Sequence, residues 1–183
     1  MKVGLLQKFL GLDNKLTNKI RISNSTGHLR TLAILFAHSG DSWFWLIGLA
    51  LLWYFGNETW KNIAIAMVIG VMITAGIVFV LKFTIQRKRP QGEWGNIYRK
   101  TDPHSFPSGH AARAVMLAVV AIGMGPTWLA ILLVVWAPLV ILARVAMGVH
   151  YLSDVLAGAL IGIGVGILAL ELYPYIATFL PTI

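Results

Sequence analysis

Three short segments carry residues whose types and spacing suit chemistry on an anion. The first is Lys82 with Arg87, Lys88 and Arg89, closed by Pro90. Lys82 and Arg89 are seven positions apart and share a face if one helix runs through both. Alone, the cluster would equally fit cations snorkelling at a helix end. The second is Pro107-Ser108-Gly109-His110. Pro107 disfavours helix before it, Ser108 is a good N-cap, and Gly109 lets a ligand approach the backbone. A helix start with open N–H groups binds anions. A plain cap with an interfacial histidine beside it is the alternative. The third runs from Arg144 to His150 and Asp154. His150 and Asp154 are i, i+4, which puts a carboxylate within reach of an imidazole. An aspartate on Nδ1–H fixes the tautomer and leaves Nε2 as nucleophile or base. Asp154 could also simply favour the start of a following helix.

Together the three segments hold cations and N–H donors for oxygens, one base to attack and one acid to expel a leaving group. That inventory suits a phosphoryl group. The elements that must position it are membrane helices. Of 183 residues 57% are hydrophobic and 12% charged, against about 25% charged in soluble domains. Seven Trp and five Tyr suit membrane interfaces. Ionisable groups at membrane depth are costly and usually functional. The formal net charge of +8 points to anionic lipid head groups or an anionic substrate, not to nucleic acid. No cysteine is present, so disulfides, thiolate metal sites and cysteine nucleophiles are excluded.

The expected architecture is an all-α integral membrane bundle in one domain, 1–183. Residues 1–40 read as an interfacial amphipathic segment, with Leu5, Leu6, Phe9 and Leu10 at helical spacing between charges. The N-terminus lacks the continuous apolar core of a signal peptide. Residues 41–173 read as a helical bundle of about five spans, 42–57, 62–81, 108–124, 127–143 and 155–173. Gly123-Met-Gly-Pro-Thr127 breaks a thirty-residue uncharged run. Five spans bring Lys82, the polar loop 88–107, the start of the third span and the segment 144–154 to one membrane face.

Lys82-x6-Arg89-Pro90, Pro107-Ser108-Gly109-His110 and Arg144-x5-His150-x3-Asp154 resemble the three signature motifs of the type 2 phosphatidic acid phosphatase (PAP2) superfamily. The motifs cover residues 82–154, in order and with the right internal spacing. The family's third motif usually begins Ser-Arg; here it is Ala143-Arg144, one hydroxyl fewer near the site. The resemblance implies metal-independent hydrolysis of a lipid phosphate or pyrophosphate, such as a polyprenyl (undecaprenyl) pyrophosphate or a phospholipid phosphate. It implies that His150 attacks phosphorus and becomes a phosphohistidine, that Asp154 orients it, and that His110 protonates the leaving oxygen and then activates water. Lys82, Arg89, Ser108, Gly109 and Arg144 would bind the phosphoryl oxygens. No cofactor or metal is implied, and no carboxylate pair is left over to hold Mg²⁺. The other reading is a non-catalytic lipid-binding or transport protein with a basic phosphate-binding rim. Soluble vanadium haloperoxidases share the motifs but not the apolar spans. The family placement puts the site outside the cytoplasm. Lys2, Lys8, Lys15, Lys19, Arg21 and Arg30 on the same face point the other way by the positive-inside rule. His104, His28 and His38 read as loop or interfacial residues.

Overall fold

In the computed structural model, residues 2–22, 27–91, 94 and 102–179 are described. They form seven main helices: α1 (Lys2–Ile20), α2 (His28–Ser39), α3 (Ser42–Phe55), α4 (Glu58–Ile85), α5 (Gly109–Met124), α6 (Thr127–Ala146) and α7 (Leu152–Ala177). Lys88 and His104 make an isolated antiparallel bridge. The middle of the loop 88–107 lies outside the described residues.

Helix α5 is the hub, packed against α7, α6 and α4. Its sequence is rich in alanine, and Ala111, Ala112, Ala114, Met116, Leu117, Val120 and Ala121 are buried. Close approach to α7 is set by glycines spaced by four. A Cβ on Gly158 would stand 2.5 Å from the Ser108 carbonyl oxygen, and one on Gly166 2.6 Å from Val119 Cβ. Small residues at this spacing let membrane helices pack backbone to backbone. The outer surfaces of α6 and α7 expose Leu132, Val135, Leu160 and Ile167, as a lipid-facing surface requires.

Helices α4, α6 and α7 are each long and apolar enough to cross a membrane, and α2 with α3, bent by 58° at the break between them, have together the length and composition of a fourth. The sequence layout of five spans needs α3 and α5 each to cross alone. At ~1.5 Å per residue they are about 21 and 24 Å long, short of the ~30 Å hydrocarbon layer. Helix α5 is largely enclosed by protein, and because α4 and α6 both end at the site it runs from that face to the opposite one. Two bonds pin the break before α3: Trp45 Nε1 donates to the Ser39 carbonyl at 3.0 Å, and Trp136 Nε1 to Ser39 Oγ at 2.9 Å.

Helix α1 buries its polar side, not its leucines. Asp13 and Thr17 are buried against the start of α7, while Phe9, Leu10, Leu12 and Leu16 are exposed. Thr17 Oγ1 accepts from Leu152 N–H at 3.0 Å and Asp13 Oδ1 from Ser153 N–H at 3.0 Å, so α1 caps the first turn of α7.

Candidate active site

The end of α4 corrects one sequence expectation. Lys82 and Arg89 do not share a helical face, because the helix stops at Ile85 and Gln86 takes a left-handed conformation with φ 51°. The chain then doubles back. Ser105 N–H donates to the Arg87 carbonyl at 2.8 Å and Ser105 Oγ to the Lys88 carbonyl at 3.3 Å, tying the first motif to the segment before the second. Lys82 and Arg89 meet instead through Asp102, which pairs with Lys82 Nζ and, at 2.8 Å, with Arg89 Nη2. Arg89 Nε also donates to the Asp102 carbonyl at 2.7 Å. Burial would raise the Asp102 carboxyl, yet the hydrogen bond and charge of Lys82, with the charges of Arg89 and His150, outweigh it and hold it below its ordinary value. Nothing in the motif spacing flagged Asp102.

His150 is 1% exposed, in the link between α6 and α7. Its Nδ1 lies 2.8 Å from the Ser105 carbonyl oxygen. A carbonyl only accepts, so Nδ1 carries the proton and Nε2 keeps its lone pair in the neutral ring. Arg89 Nη1 stands 3.4 Å from that Nε2 and donates to the Val149 carbonyl at 3.1 Å. Asp154 Oδ2 is 3.6 Å from Nδ1, within ion-pair reach but outside hydrogen-bond reach. The tautomer expected from Asp154 is therefore set directly by Ser105. Burial, together with the charges of Arg89, Arg144 and Lys82, holds the His150 imidazole well below its ordinary pKa.

Asp154 itself is fully buried and its oxygens are engaged elsewhere. Oδ1 accepts from Arg87 Nη1 at 2.6 Å and Oδ2 from Tyr151 N–H at 2.8 Å. Arg87 spans Asp154 and Asp13, reaching Asp13 Oδ2 through Nη2 at 2.6 Å, and its guanidinium lies 4.1 Å over the Tyr151 ring. Arg87 thus clamps the segment after α4 to α1 and α7. The backbone closes the same unit, since Ser108 N–H donates to the Asp154 carbonyl at 3.0 Å.

His110, one residue into α5, faces the break between α2 and α3. Its Nε2 is 2.6 Å from Asp41 Oδ1, while Asp41 Oδ2 lies 3.2 Å from His38 Nδ1. His38 therefore belongs to this cluster, beyond the interfacial role read from the sequence. One turn on, Arg113 is buried at 6% exposure and donates from Nε to the Gly40 carbonyl at 3.1 Å. His104 packs edge-on against Phe83.

A cavity of about 350 Å³ joins the two histidines. Lys82, Gly109, His110 and His150 line it, and so do Asp102, Arg113, Thr74 and Ser42. Arg89 lies just behind His150. Ser108, Asp154 and Arg144 form the buried support rather than the lining. Ser108 Oγ accepts from Ala111 N–H as the expected cap, and Arg144 Nη1 donates to the Ala37 carbonyl at 3.4 Å. The arrangement offers a neutral imidazole lone pair, a second imidazole on a carboxylate, and cations, all facing one space. Asp41, Asp102, Ser105 and Arg113 are the site residues that motif reading passed over. A lone aspartate in the apolar stretch 31–55 was the available signal for Asp41.

The chain also matches known proteins in sequence and fold. The family model described as the PAP2 superfamily matches residues 63–177. The chain is 31% identical over 152 residues to the undecaprenyl-diphosphatase of Sulfolobus acidocaldarius, covering 81% of this chain and 73% of that one. It is 30% identical over 113 residues to the lipid A 1-phosphatase of Porphyromonas gingivalis, a match to 60% of this chain and 24% of that protein. Among solved structures, Aquifex aeolicus LpxE is similar at a TM-score of 0.69 with 28% identity, over 86% of this chain and 93% of that one. The PAP2-type phosphatidylglycerolphosphate phosphatase of Bacillus subtilis has the same TM-score at 23% identity, over 96% and 89%, a likeness of fold.

Proposed function

Since the chain belongs to the PAP2 superfamily, a group whose relatives here include an undecaprenyl-diphosphatase and a lipid A 1-phosphatase, we propose that it hydrolyses a lipid phosphate or pyrophosphate through a phosphohistidine on His150. The observation that carries this reading is the shared cavity of His110 and His150, with the His150 proton held on Nδ1 by Ser105.

The reaction divides into two displacements. His150 Nε2 attacks phosphorus; the P–N bond forms as the bond to the leaving oxygen breaks, and His110 gives that oxygen a proton. Asp41 accepts only, so His110 Nε2–H stays on it and Nδ1 is the atom that exchanges the proton. In the second step His110 takes a proton from water, whose oxygen attacks the phosphohistidine. The P–N bond breaks, inorganic phosphate leaves, and His150 is neutral again. Lys82, Arg89 and the start of α5 at Gly109 stabilise the phosphoryl oxygens, with Ser108 and the charge of Arg144 behind them. Asp154 stabilises the transient imidazolium over 3.6 Å and anchors Arg87. No step calls for a metal or cofactor.

The substrate class is read from the relatives, among them a diphosphatase of a polyprenyl lipid and a phosphatase of lipid A. The site face is assigned to the extracytoplasmic side, as the family resemblance implies. Single cysteines introduced at Asn57 and Lys88, at opposite ends of α4, test that with an impermeant thiol reagent: only Lys88→Cys should react in intact cells.

The function is tested by phosphate release from a panel of lipid phosphates by purified protein. Wild type should release phosphate and accumulate an acid-labile, alkali-stable phosphoenzyme on rapid quenching; His150→Ala should do neither. Binding of lipid phosphates without turnover would favour a lipid-binding or transport protein.

A further inference from the structure

The cavity is longer than one phosphoryl group needs. Lys82 lines one end; Thr74, eight residues earlier on α4, lines the other, a separation of about 12 Å along the helix. Arg113, on α5, stands about 4.5 Å deeper along the helix axis than His110. The polar groups of this deep end are Arg113, Thr74 and Ser42.

Their hydrogen bonds are incomplete. Arg113 is 94% buried, and of its donors only Nε has a partner among the described residues, the Gly40 carbonyl. Asp41 is close enough for its charge to be felt at Arg113 but holds no direct ion pair with it, being engaged by His110 and His38. Thr74 is 1% exposed, and its hydroxyl has no hydrogen-bond partner. A buried guanidinium with unused donors in a cavity wall, next to a buried hydroxyl without a partner, is costly unless something accepts from it. An acceptor with several oxygens and a negative charge satisfies both. A guanidinium is suited to phosphate by its planar fork of donors.

The position beside His110 decides which phosphate. His110 serves the leaving oxygen in the reaction above, so a group held by Arg113 sits on the leaving side and not on phosphorus under attack. A lipid monophosphate presents only an ester oxygen and hydrocarbon there. A lipid diphosphate presents its second phosphate. We propose that Arg113, with Thr74 and Ser42, forms a second phosphate subsite that selects lipid diphosphates. This rests on the phosphatase reading and adds the substrate class. His150 Nε2 bonds to the terminal phosphorus, the anhydride P–O bond breaks, and its electron pair goes to the bridging oxygen. The lipid leaves as a monophosphate whose charge Arg113 has neutralised. Water then releases the terminal phosphate from His150.

The test compares phosphate release from a polyprenyl diphosphate and from the polyprenyl monophosphate of the same chain length, in detergent. Wild type should favour the diphosphate in kcat/KM. Arg113→Gln should lower the diphosphate-to-monophosphate ratio of kcat/KM at least tenfold, Arg113→Lys should recover part of it, and Thr74→Val should lower it by a smaller factor. Parallel loss on both substrates, or an unaltered ratio, overturns the subsite. So does a wild type that cleaves the monophosphate and not the diphosphate. If Arg113→Gln does not fold, Thr74→Val and Ser42→Ala decide by the same ratio. A wild type that cleaves neither lipid refutes the phosphatase reading itself.

Discussion

The carboxylate of Asp41 stands 2.6 Å from Nε2 of His110, closer than Asp154 stands to His150 at 3.6 Å. The tighter of these two carboxylate–imidazole pairs thus serves the histidine assigned to the leaving group. Its partner comes from the break between two helices 69 positions earlier in the chain.

That pairing predicts a leaving-group dependence. Asp41→Asn keeps the shape but removes the charge that favours a protonated His110. Acid–base catalysis is worth about 10² to 10⁴ in rate, and Asn retains part of the orientation, so turnover of a lipid phosphate ester should fall about tenfold or more. An aryl phosphate, whose leaving oxygen needs little protonation, should be affected far less. Equal losses on both substrates would place Asp41 in a structural role.

Asp102 occupies the cations that the proposed mechanism gives to the phosphoryl group. Its carboxyl is held below its ordinary value, so it remains ionised across neutral pH and competes with substrate. Asp102→Asn should lower KM and the inhibition constant for inorganic phosphate several-fold. Without anion, Lys82 and Arg89 would repel each other, and the variant should melt earlier than wild type. Added phosphate should raise its Tm more than that of wild type, because it binds the folded state alone. Thermal unfolding in detergent with and without phosphate checks both effects.

Burial and three cations depress the His150 pKa in the folded state. The unfolded chain takes up the proton near the ordinary value of 6.5, while the folded chain does so only at lower pH. Between the two the unfolded state binds more protons, so stability rises with pH there. This contribution is complete above about pH 6.5, declines as pH falls, and is gone once pH has passed the folded pKa. The acid limb of kcat/KM should accordingly lie well below 6.5. His150→Gln should lose less Tm than wild type when the pH is lowered from 7.5 to 5.

The proposed catalytic core was legible because each motif is local: a proline-serine start, an i, i+4 pair and a run of cations are spacings along one chain. Their partners were not. Asp13, Asp41 and Asp102 reach Arg87, His110 and Lys82 across 74, 69 and 20 positions, and no periodicity links such pairs. Ser105 acts through its carbonyl, which every residue has, so its type carried no signal. The single helix drawn through Lys82 and Arg89 failed at Gln86, whose left-handed turn no glycine announced. Hydropathy does not separate a helix enclosed by protein, such as α5, from one facing lipid, so composition alone leaves open which helices cross singly.

The alignment of the site also depends on how closely α5 and α7 approach, and two glycines on α7 form a matched test. A Cβ on Gly162 would collide with the Ala112 carbonyl oxygen and meet Val115 Cβ at 2.9 Å, whereas a Cβ on Gly164 meets nothing within 4 Å. The carbonyl belongs to a rigid helix and cannot yield as a side-chain end could. Gly162→Ala should therefore push the helices apart at a cost of about 1–3 kcal/mol. Gly164→Ala should be neutral or stabilising by at most about 1 kcal/mol through helix propensity. Separation at Gly162 would also stretch the 3.0 Å bond from Ser108 N–H, one turn before Ala112, to the Asp154 carbonyl, two turns before Gly162, moving His110 relative to His150. Gly162→Ala should thus lose kcat at temperatures where it is still folded, and Gly164→Ala should not. Equal stability and turnover in the two variants would mean that contact at Gly162 does not hold the histidines in register.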